Sequence, residues 1–264
     1  MDYDDRVQIA IKREYKVVKA NEIIQRARYE LSLVELKTLA YILSLIKPND
    51  PIDQIYTFTV ADYCQVCGID YDNGKNYLTI KKGLKALRDK SFFLIKADGT
   101  ETTVGWLDKV WINKGSGKIR VRLDEDMEQY VKGLISNFTQ YELLSTLPMR
   151  SRYSFRLYEL LKSYAYQKRH TFDIVELKKL LAAETYLNFK DFRKKVLEIG
   201  IREINLYTDI EVVYQPISKG RKVIEVAFEI KTRDAWGVAM NYRRASNTLN
   251  GQMDIYDFLG ADED

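Results

Sequence analysis

Two stretches of this chain follow the same order of sequence patterns, and this repeat constrains the fold more than any other feature. Each stretch begins with a long, largely apolar helical segment, over residues 31–46 in the first and 151–166 in the second. A short β-prone piece containing a Thr-Phe pair then leads into a second helical pattern, at Phe58 and Phe172 respectively. A repeat unit of this length indicates a duplicated domain, because the repeats of solenoid proteins are short and numerous.

Each repeat continues with a third helical pattern and a β-hairpin. The third helix is predicted over residues 74–91 in the first repeat and 188–205 in the second. Two β-prone runs around a turn with Gly and Lys follow, over residues 104–123 and 206–230. Helix, strand, helix, helix and hairpin is the element order of a winged helix, which is a helix-turn-helix with a β-hairpin attached.

We therefore predict an α+β fold of two tandem winged-helix domains related by duplication. The first domain is predicted over residues 1–138 and the second over residues 139–240, with Pro148 interrupting the pattern near their boundary. Residues 241–264 are predicted to be an acidic, flexible tail, because chain ends are commonly poorly ordered. The mixture of acidic and apolar residues in this tail leaves two further interpretations open, namely docking on a partner and masking of a basic surface.

The third helix of the second repeat divides into an apolar face and a basic face when residues are placed at about 100° intervals. The apolar face consists of Phe189, Phe192, Val196 and Ile199. The basic face consists of Lys190, Arg193 and Lys194, with Leu197 among them and Lys195 at the flank. One face can therefore pack inside the domain while the other presents a compact cationic stripe.

The first repeat carries a similar stripe, with Lys81, Lys82 and Lys85 beside an apolar face of its third helix. Most lysine-rich helix faces are simply solvated, and this remains the alternative for either helix taken alone. The third helix enters the major groove in helix-turn-helix folds, so a stripe at that position in both repeats favours DNA binding. The charge distribution agrees with this interpretation. Residues 141–240 contain 18 Lys and Arg against 13 Asp and Glu, a net charge of +5, whereas the whole chain has a net charge of +4. The positive charge is therefore concentrated in the second repeat.

The two hairpin turns add cations that can reach phosphate groups. Lys219, Arg221 and Lys222 lie in the second turn, and Lys114 and Lys118 lie in the first. Lysine and arginine side chains on such turns can contact the DNA backbone. The alternative is an ordinary polar turn, which needs glycine and polar residues in any case. We favour phosphate contact for the second turn and leave the first open.

These segments closely resemble the iteron-binding plasmid replication initiator (Rep) family. The resemblance rests on residues 153–164, 172–181 and 191–230, and it extends to the opening segment 15–46. Helix, strand and wing match in the same order. Gly200 departs from the pattern of the family, in which we expect a better helix-forming residue at this position. A glycine inside a helix costs about 1 kcal/mol of helix stability.

The resemblance implies a DNA-binding function and a set of partners. Members of this family have two tandem winged-helix domains, of which the second contacts bases in the direct repeats (iterons) of a plasmid origin. The first domain adds DNA contacts and a dimer interface. Monomers help to open the duplex, and the family recruits a host initiator and the replicative helicase. In many members a dimer binds an operator, an inverted repeat, and represses the initiator's own gene.

The resemblance and the basic stripes together assign contacts to particular residues. The predicted base contacts are Lys190, Arg193, Lys194 and Leu197, since arginine can pair with guanine and leucine can contact a thymine methyl group. The predicted contacts to the DNA backbone are Arg150, Arg152, Lys195, Arg202, Lys219, Arg221, Lys222, Lys81, Lys82 and Lys85.

The residues that would support catalysis or a metal site are missing from the sequence. His170 is the only histidine, so the chain lacks the His pair with which rolling-circle initiators and relaxases hold a metal beside a catalytic tyrosine. Cys64 and Cys67 lack the two further ligands that a structural zinc site needs, and we interpret them as small buried helix residues. No phosphate-binding P-loop motif occurs. We expect no enzymatic activity and no cofactor.

Membrane insertion and secretion are also unsupported. No apolar run approaches the roughly 18 residues that a membrane span needs. The first residues are charged and lack the apolar core of a signal peptide. With only two cysteines in the chain, we expect a cytoplasmic protein.

Two functional alternatives remain open. A transcriptional repressor that binds an operator without initiating replication would have nearly the same sequence signature. A winged helix can also serve protein contacts alone, and the absence of DNA binding at low salt would favour that interpretation.

Overall fold

The computed structural model describes residues 3–70 and 74–251, and the predicted order of helix, strand, helix, helix and hairpin occurs in them twice. The elements of the first half are α1 (Tyr3–Arg13), β1 (Lys16–Ala20), α2 (Asn21–Arg26), β2 (Ala27–Arg28), α3 (Leu33–Ser44), β3 (Ile55–Thr59), α4 (Val60–Cys67), α5 (Gly74–Asp89), β4 (Ser91–Ile95), β5 (Glu101–Gly105), β6 (Leu107–Ile112), β7 (Lys118–Leu123), α6 (Glu125–Glu128) and β8 (Phe138–Glu142).

The second half begins at the helix that follows β8. Its elements are α7 (Arg152–Ser163), β9 (Arg169–Asp173), α8 (Ile174–Leu180), α9 (Phe189–Phe192), a π-helical turn (Arg193–Leu197), α10 (Glu198–Tyr207), β10 (Ile210–Lys219), β11 (Lys222–Thr232) and α11 (Ala235–Leu249). Single 3₁₀ turns at Leu143–Ser145 and Ala165–Gln167 flank α7.

The two halves build their winged-helix cores in the same way. Each has an antiparallel three-stranded sheet, with strand order β3-β7-β6 in the first half and β9-β11-β10 in the second. In each half a buried phenylalanine, Phe58 or Phe172, precedes a residue that caps the next helix. The Thr59 hydroxyl accepts the N–H of Asp62 at 3.0 Å, and the Asp173 carboxylate accepts the N–H groups of Val175 and Glu176 at 2.8 and 3.0 Å. The predicted α+β class with two tandem winged helices is confirmed.

The first half contains a sheet that the sequence analysis does not predict. Strands β2, β4 and β5 pair in the order β2-β4-β5, so the predicted run over residues 104–112 is divided between two sheets. Trp106 lies at the division and is fully buried. Its ring packs against Tyr29 and Phe92, with centroid distances of 4.7 and 4.3 Å. This aromatic cluster explains why the chain turns inward between β5 and β6.

The two halves share one hydrophobic core and a buried charge cluster. The Lys19 ammonium on β1 lies 2.5 Å from the Glu159 carboxylate on α7, and both side chains are at most 1% exposed. The Tyr141 hydroxyl on β8 donates to the same carboxylate at 2.7 Å, and Arg156 pairs with it at 3.1 Å. Burial alone would raise the pKa of Glu159, but attraction by Lys19 and Arg156 lowers it on balance. The cluster joins β1 and β8 of the first half to α7 of the second.

Helix α11 also bridges the halves. Near its middle, the Asn241 amide donates to the Thr208 carbonyl at 2.7 Å, just beyond α10. Immediately after its end, the Asn250 side chain accepts a hydrogen bond from the Arg13 guanidinium of α1 at 3.0 Å. Arg13 in turn donates to the Val66 carbonyl in the last turn of α4 at 2.9 Å. The end of the described chain is therefore attached to both halves.

Helix α11 changes the prediction for the tail. Residues 241–249 are predicted to belong to a flexible tail, whereas they form more than half of α11, in which Asn241 and Ala245 are buried. The acidic part of the predicted tail, residues 252–264, lies outside the described residues. The predicted domain boundary at 138/139 coincides with the start of β8, which pairs with β1, and both domain limits stay predictions.

Candidate nucleic-acid interface

The third helix of the second half runs without interruption from Phe189 to Tyr207, through α9, the π-helical turn and α10. Asn188 caps its start by accepting the N–H of Asp191 at 2.8 Å. The π-helical turn is closed by the N–H of Glu198, which donates to the carbonyl of Arg193, five residues earlier. A π-helical turn accommodates an extra residue, so the buried face of the helix shifts by about one position there.

This shift overturns the prediction that Leu197 contacts a base. Regular α-helical spacing places Leu197 among the basic residues, but its side chain is fully buried. Phe192 is buried before the turn, Val196 and Leu197 are both buried within it, and the buried positions after it are Gly200, Glu203, Ile204 and Tyr207. Two adjacent residues, Val196 and Leu197, can both face the core only because the π-helical turn lies between the two α-helical phases. Leu197 is a core residue.

The predicted cationic residues of this helix lie on the surface. Lys190, Lys194 and Lys195 are exposed, and no carboxylate among the side chains that the structure describes, those of residues 7–70 and 77–251, forms an ion pair with them. Arg193 pairs with Glu198 at 3.2 Å, and both side chains are about half exposed. An exposed pair of this kind contributes little to stability and can exchange partners. The contacts of these four cationic residues with DNA bases and phosphates stay predictions.

The helix is held against α7 by close packing and by a carboxylate. A Cβ atom added to Gly200 would lie 2.9 Å from the Leu157 side chain, so glycine allows α10 to approach α7 closely. One turn later, the buried carboxylate of Glu203 accepts the backbone N–H groups of Arg150 and Ser151 at 3.0 and 3.3 Å. The departure at Gly200 therefore has a packing reason.

The wing of the second half ends in a two-residue turn. Strands β10 and β11 pair as far as Lys219 and Lys222, and Gly220 and Arg221 form the turn between them. Gly220 has a φ of 63°, the left-handed conformation that hairpin turns of this length require. Lys219, Arg221 and Lys222 are all exposed, as the prediction of phosphate contact requires.

The wing is fixed to the third helix by the Asn205 side chain, which forms hydrogen bonds with both backbone groups of a residue on β10. The Asn205 amide on α10 donates to the Val212 carbonyl at 2.9 Å and accepts the Val212 N–H at 2.7 Å. Burial raises the pKa of Tyr214 on the same strand, and the charges of Glu198 and Arg193 act on its hydroxyl in opposite directions. Charged groups on the third helix thus act on a side chain of strand β10.

The two predicted backbone contacts around the start of α7, Arg150 and Arg152, have different surroundings. Arg150 is exposed, as is Arg202 on α10. The Arg152 guanidinium instead forms an ion pair with Glu30 of the first half and donates to the Tyr153 hydroxyl at 3.0 Å. It also donates to the Ala182 carbonyl at 3.3 Å. Arg152 therefore links the two halves through its terminal nitrogens, and its contact with phosphate stays a prediction.

The basic stripe of the first half is partly neutralised. Lys81, Lys82 and Lys85 are exposed on α5, as predicted. Asp89, one turn after Lys85, forms ion pairs with Lys85 and, at 3.5 Å, with Arg88. The stripe of the second half thus offers more unpaired positive charge than that of the first.

The structure also brings together three residues on the first wing that the sequence analysis does not select. Trp111 on β6 lies directly opposite Arg120 on β7, and Lys109 is two residues away on the same strand. The cationic groups of Lys109 and Arg120 lie 5.4 and 5.1 Å from the Trp111 ring centroid. Alternation at period two along β6 could have identified Lys109 and Trp111 as neighbours on one face. Lys114 and Lys118 are exposed around the turn that follows β6.

The two cysteines and the histidine are packed against other residues of the fold. Cys64 and Cys67 are buried in α4, and burial raises the pKa of their thiols to about 11 and about 12. His170 stacks on Tyr164 with a centroid distance of 3.7 Å, and burial lowers its pKa. Within the described parts of the chain, no group of three or more His, Cys, Asp or Glu side chains is placed to hold a metal ion. None of the helices in those parts has both the length and the apolar character needed to cross a membrane.

Comparison with known families and structures gives matches over both halves. Residues 16–162 match the family model described as initiator replication protein, WH1, and residues 173–230 match that described as initiator Rep protein, WH2. Among solved structures, the chain is similar to the Pi initiator protein crystallised in complex with iteron DNA, with 22% sequence identity and a TM-score of 0.69. That match covers 84% of this chain and 99% of the Pi chain, and it shows a shared fold. A structure of domains 2 and 3 of RctB matches with 13% identity and a TM-score of 0.47, over 76% of this chain and 82% of the other.

Proposed function

Because this chain belongs to the family of initiator replication proteins, we propose that it is a sequence-specific, double-stranded-DNA-binding initiator of plasmid replication. It binds the direct repeats of a plasmid origin through the third helix and the wing of its second half. Lys190, Arg193 and Lys194 contact base edges in the major groove, where lysine and arginine recognise guanine. Lys195, Arg202, Lys219, Arg221 and Lys222 contact the flanking phosphates.

The observation that carries this proposal is the unpaired positive charge on the third helix of the second half. Lys190, Lys194 and Lys195 are exposed and have no carboxylate partner among the described residues. The adjoining wing is fixed to the same helix through Asn205 and ends in three exposed cations. A helix and a hairpin held rigidly together are suited to engage a groove and the phosphates beside it at the same time. The similar Pi protein was crystallised with iteron DNA, which is the class of ligand proposed here.

The first half supplies auxiliary contacts. Lys81, Lys82 and Lys85 on α5 are exposed and contact phosphate, more weakly than the second half because Asp89 neutralises part of their stripe. The first half also supplies the interface through which two copies of the chain associate. The protein acts without catalysis: it promotes opening of the origin duplex by binding and recruits a host initiator and the replicative helicase.

The proposal is tested with duplexes taken from the DNA that flanks the gene. Fluorescence anisotropy should show specific binding to a direct repeat, with an affinity that falls steeply with salt because phosphate contacts release counterions. Lys190→Gln combined with Lys194→Gln should weaken this binding strongly. Lys168→Gln combined with Lys231→Gln, which removes the same charge from exposed positions near the base of the hairpin, should not. Equal losses in both variants, or no binding at low salt, would overturn the DNA-binding interface.

A plasmid assay separates initiation from repression. The gene and its adjacent repeats are placed on a replicon that has no other origin, and transformants are counted. Replication that depends on Lys190 and Lys194 supports an initiator. Binding without replication would instead identify a repressor that occupies an operator.

A further inference from the structure

Leu187 is an exposed apolar side chain immediately before the third helix of the second half. Its side chain is 90% exposed, although it follows the buried residues of α8 by only a short turn. A leucine in this state contributes almost no hydrophobic stabilisation to the fold, since that contribution scales with the apolar area removed from water. Its presence at this position has no explanation in the packing of the second half.

The turn that carries Leu187 is held in place on both sides. The Lys178 ammonium on α8 donates to the carbonyls of Tyr186 and Leu187, at 2.5 and 3.2 Å. The same ammonium lies 5.4 Å from the centroid of the buried Phe192 ring. Asn188, the next residue, caps the third helix. The backbone of Leu187 is therefore fixed at two consecutive positions, and its side chain projects from an ordered turn.

The position of this turn indicates what the side chain contacts. In helix-turn-helix proteins the first residues of the third helix contact base edges in the major groove. Leu187 lies three residues before Lys190, the first exposed lysine of the cationic face. The C5-methyl group of thymine is the apolar group that a base pair presents in that groove. Asn188 cannot replace Leu187 in base recognition, because its amide accepts the N–H of Asp191 and donates to the Asp191 carboxylate at 2.6 Å.

We propose that Leu187 is a specificity-determining residue that contacts a thymine methyl group in the DNA repeat. This inference rests on the proposed function and adds to it a base preference at one position. It also replaces the apolar contact predicted for Leu197, which is buried. The surrounding lysines bind phosphate or guanine, and Leu187 supplies selectivity for thymine over cytosine at the start of the helix.

The test compares thymine with uracil, which pairs identically but lacks the methyl group. The full chain first selects its preferred duplex from a random-sequence pool. Each thymine of that duplex is then replaced singly by uracil, and the affinity of wild type and of Leu187→Ala is measured for every duplex. Because Leu187 is almost fully exposed, the alanine variant should fold as wild type does. Val213→Ala, at a 55% exposed apolar position on the wing sheet, is the matched control.

One thymine position should behave differently from the others. For wild type and for Val213→Ala, uracil at that position should weaken binding by about fourfold, the effect of leaving one methyl group uncovered. Leu187→Ala should bind the thymine duplex more weakly than wild type does and should lose its sensitivity to uracil at that position. Equal uracil effects in wild type and Leu187→Ala at every position would overturn the inference while leaving the proposed DNA binding intact. Failure of the chain to enrich any duplex would overturn the proposed function and this inference with it.

Discussion

Replacement of both Lys219 and Lys222 with glutamine separates the contribution of the wing to DNA binding from its contribution to stability. These exposed lysines lie directly opposite each other in the last residue pair of the β10–β11 hairpin. Directly opposed like charges destabilise a sheet by about 0.2–1 kcal/mol. The wild-type pair therefore opposes hairpin formation. We expect the double variant to have a free energy of unfolding that is higher by up to about 1 kcal/mol.

DNA binding should change in the opposite direction. Each cation that neutralises a phosphate contributes about 0.9 to the slope of log affinity against log salt concentration. Loss of two such contacts lowers the slope by about 1.8, so the ratio of wild-type to variant affinity should fall about 12-fold when salt is raised from about 50 to about 200 mM. The structural basis is that both ammonium groups project from the turn of a wing that Asn205 fixes to the third helix.

Fluorescence anisotropy titrations at several salt concentrations measure the slope, and urea unfolding measures the stability. The matched control combines Lys168→Gln with Lys231→Gln, two exposed positions near the opposite end of the hairpin from its turn. The control should keep the wild-type slope. Equal slopes for wild type and the Lys219/Lys222 variant would refute phosphate contact by the wing. A lower free energy of unfolding in that variant would refute the repulsion argument.

Further predictions concern the third helix and the core. Arg193→Ala should weaken binding to the specific duplex by about 1–3 kcal/mol more than binding to random DNA, whereas equal losses would reassign Arg193 to the phosphate backbone. In urea unfolding, Lys19→Met should lower the free energy of unfolding by about 3 kcal/mol, because it removes a buried partner of Glu159. The control Lys16→Met, at a more exposed ion pair, should lower it by less than about 1 kcal/mol. Because the pKa of Glu159 lies below its ordinary value of 4.5, its contribution is present above pH 4.5 and is lost as the pH falls through the folded-state pKa. On acidification, the free energy of unfolding of wild type should therefore fall more steeply than that of Glu159→Gln. Parallel plots of the free energy of unfolding against pH for the two proteins would contradict a contribution from the Glu159 carboxylate. Gly200→Ala should lower the melting temperature despite a gain of about 1 kcal/mol in helix propensity, because its Cβ would overlap Leu157; a higher melting temperature would contradict that steric argument.

The sequence predicts the features that depend on local pattern. The order of elements in both halves follows from hydrophobic periodicity and from paired positions such as Phe58 and Phe172, each of which precedes a helix cap. The exposure of Lys190 likewise follows from helical spacing, because it lies before the π-helical turn, where the phase of the helix is still regular.

The features that the sequence does not predict depend on irregular or distant contacts. Leu197 is assigned to the wrong face because a π-helical turn changes the phase of the helix, and a fixed angle per residue cannot represent that change. The ion pair of Arg152 with Glu30 is not predicted, because the two residues are 122 positions apart in the chain. The sheet β2-β4-β5 is missed because β2 has two residues and pairs with a distant strand.

Helix α11 and the Lys19–Glu159 cluster have a consequence for the spacing of the DNA that the protein recognises. They connect the two winged helices at separate places, one through α10, α1 and α4 and the other through β1, β8 and α7. If both third helices engage one duplex, each contacts its own segment of the DNA, here called a subsite. The fixed arrangement of the two winged helices then allows only one distance between the two subsites. Each inserted base pair rotates the second subsite by about a tenth of a helical turn. A repeat lengthened by half a turn would then present that subsite on the far side of the duplex, out of reach of the first winged helix.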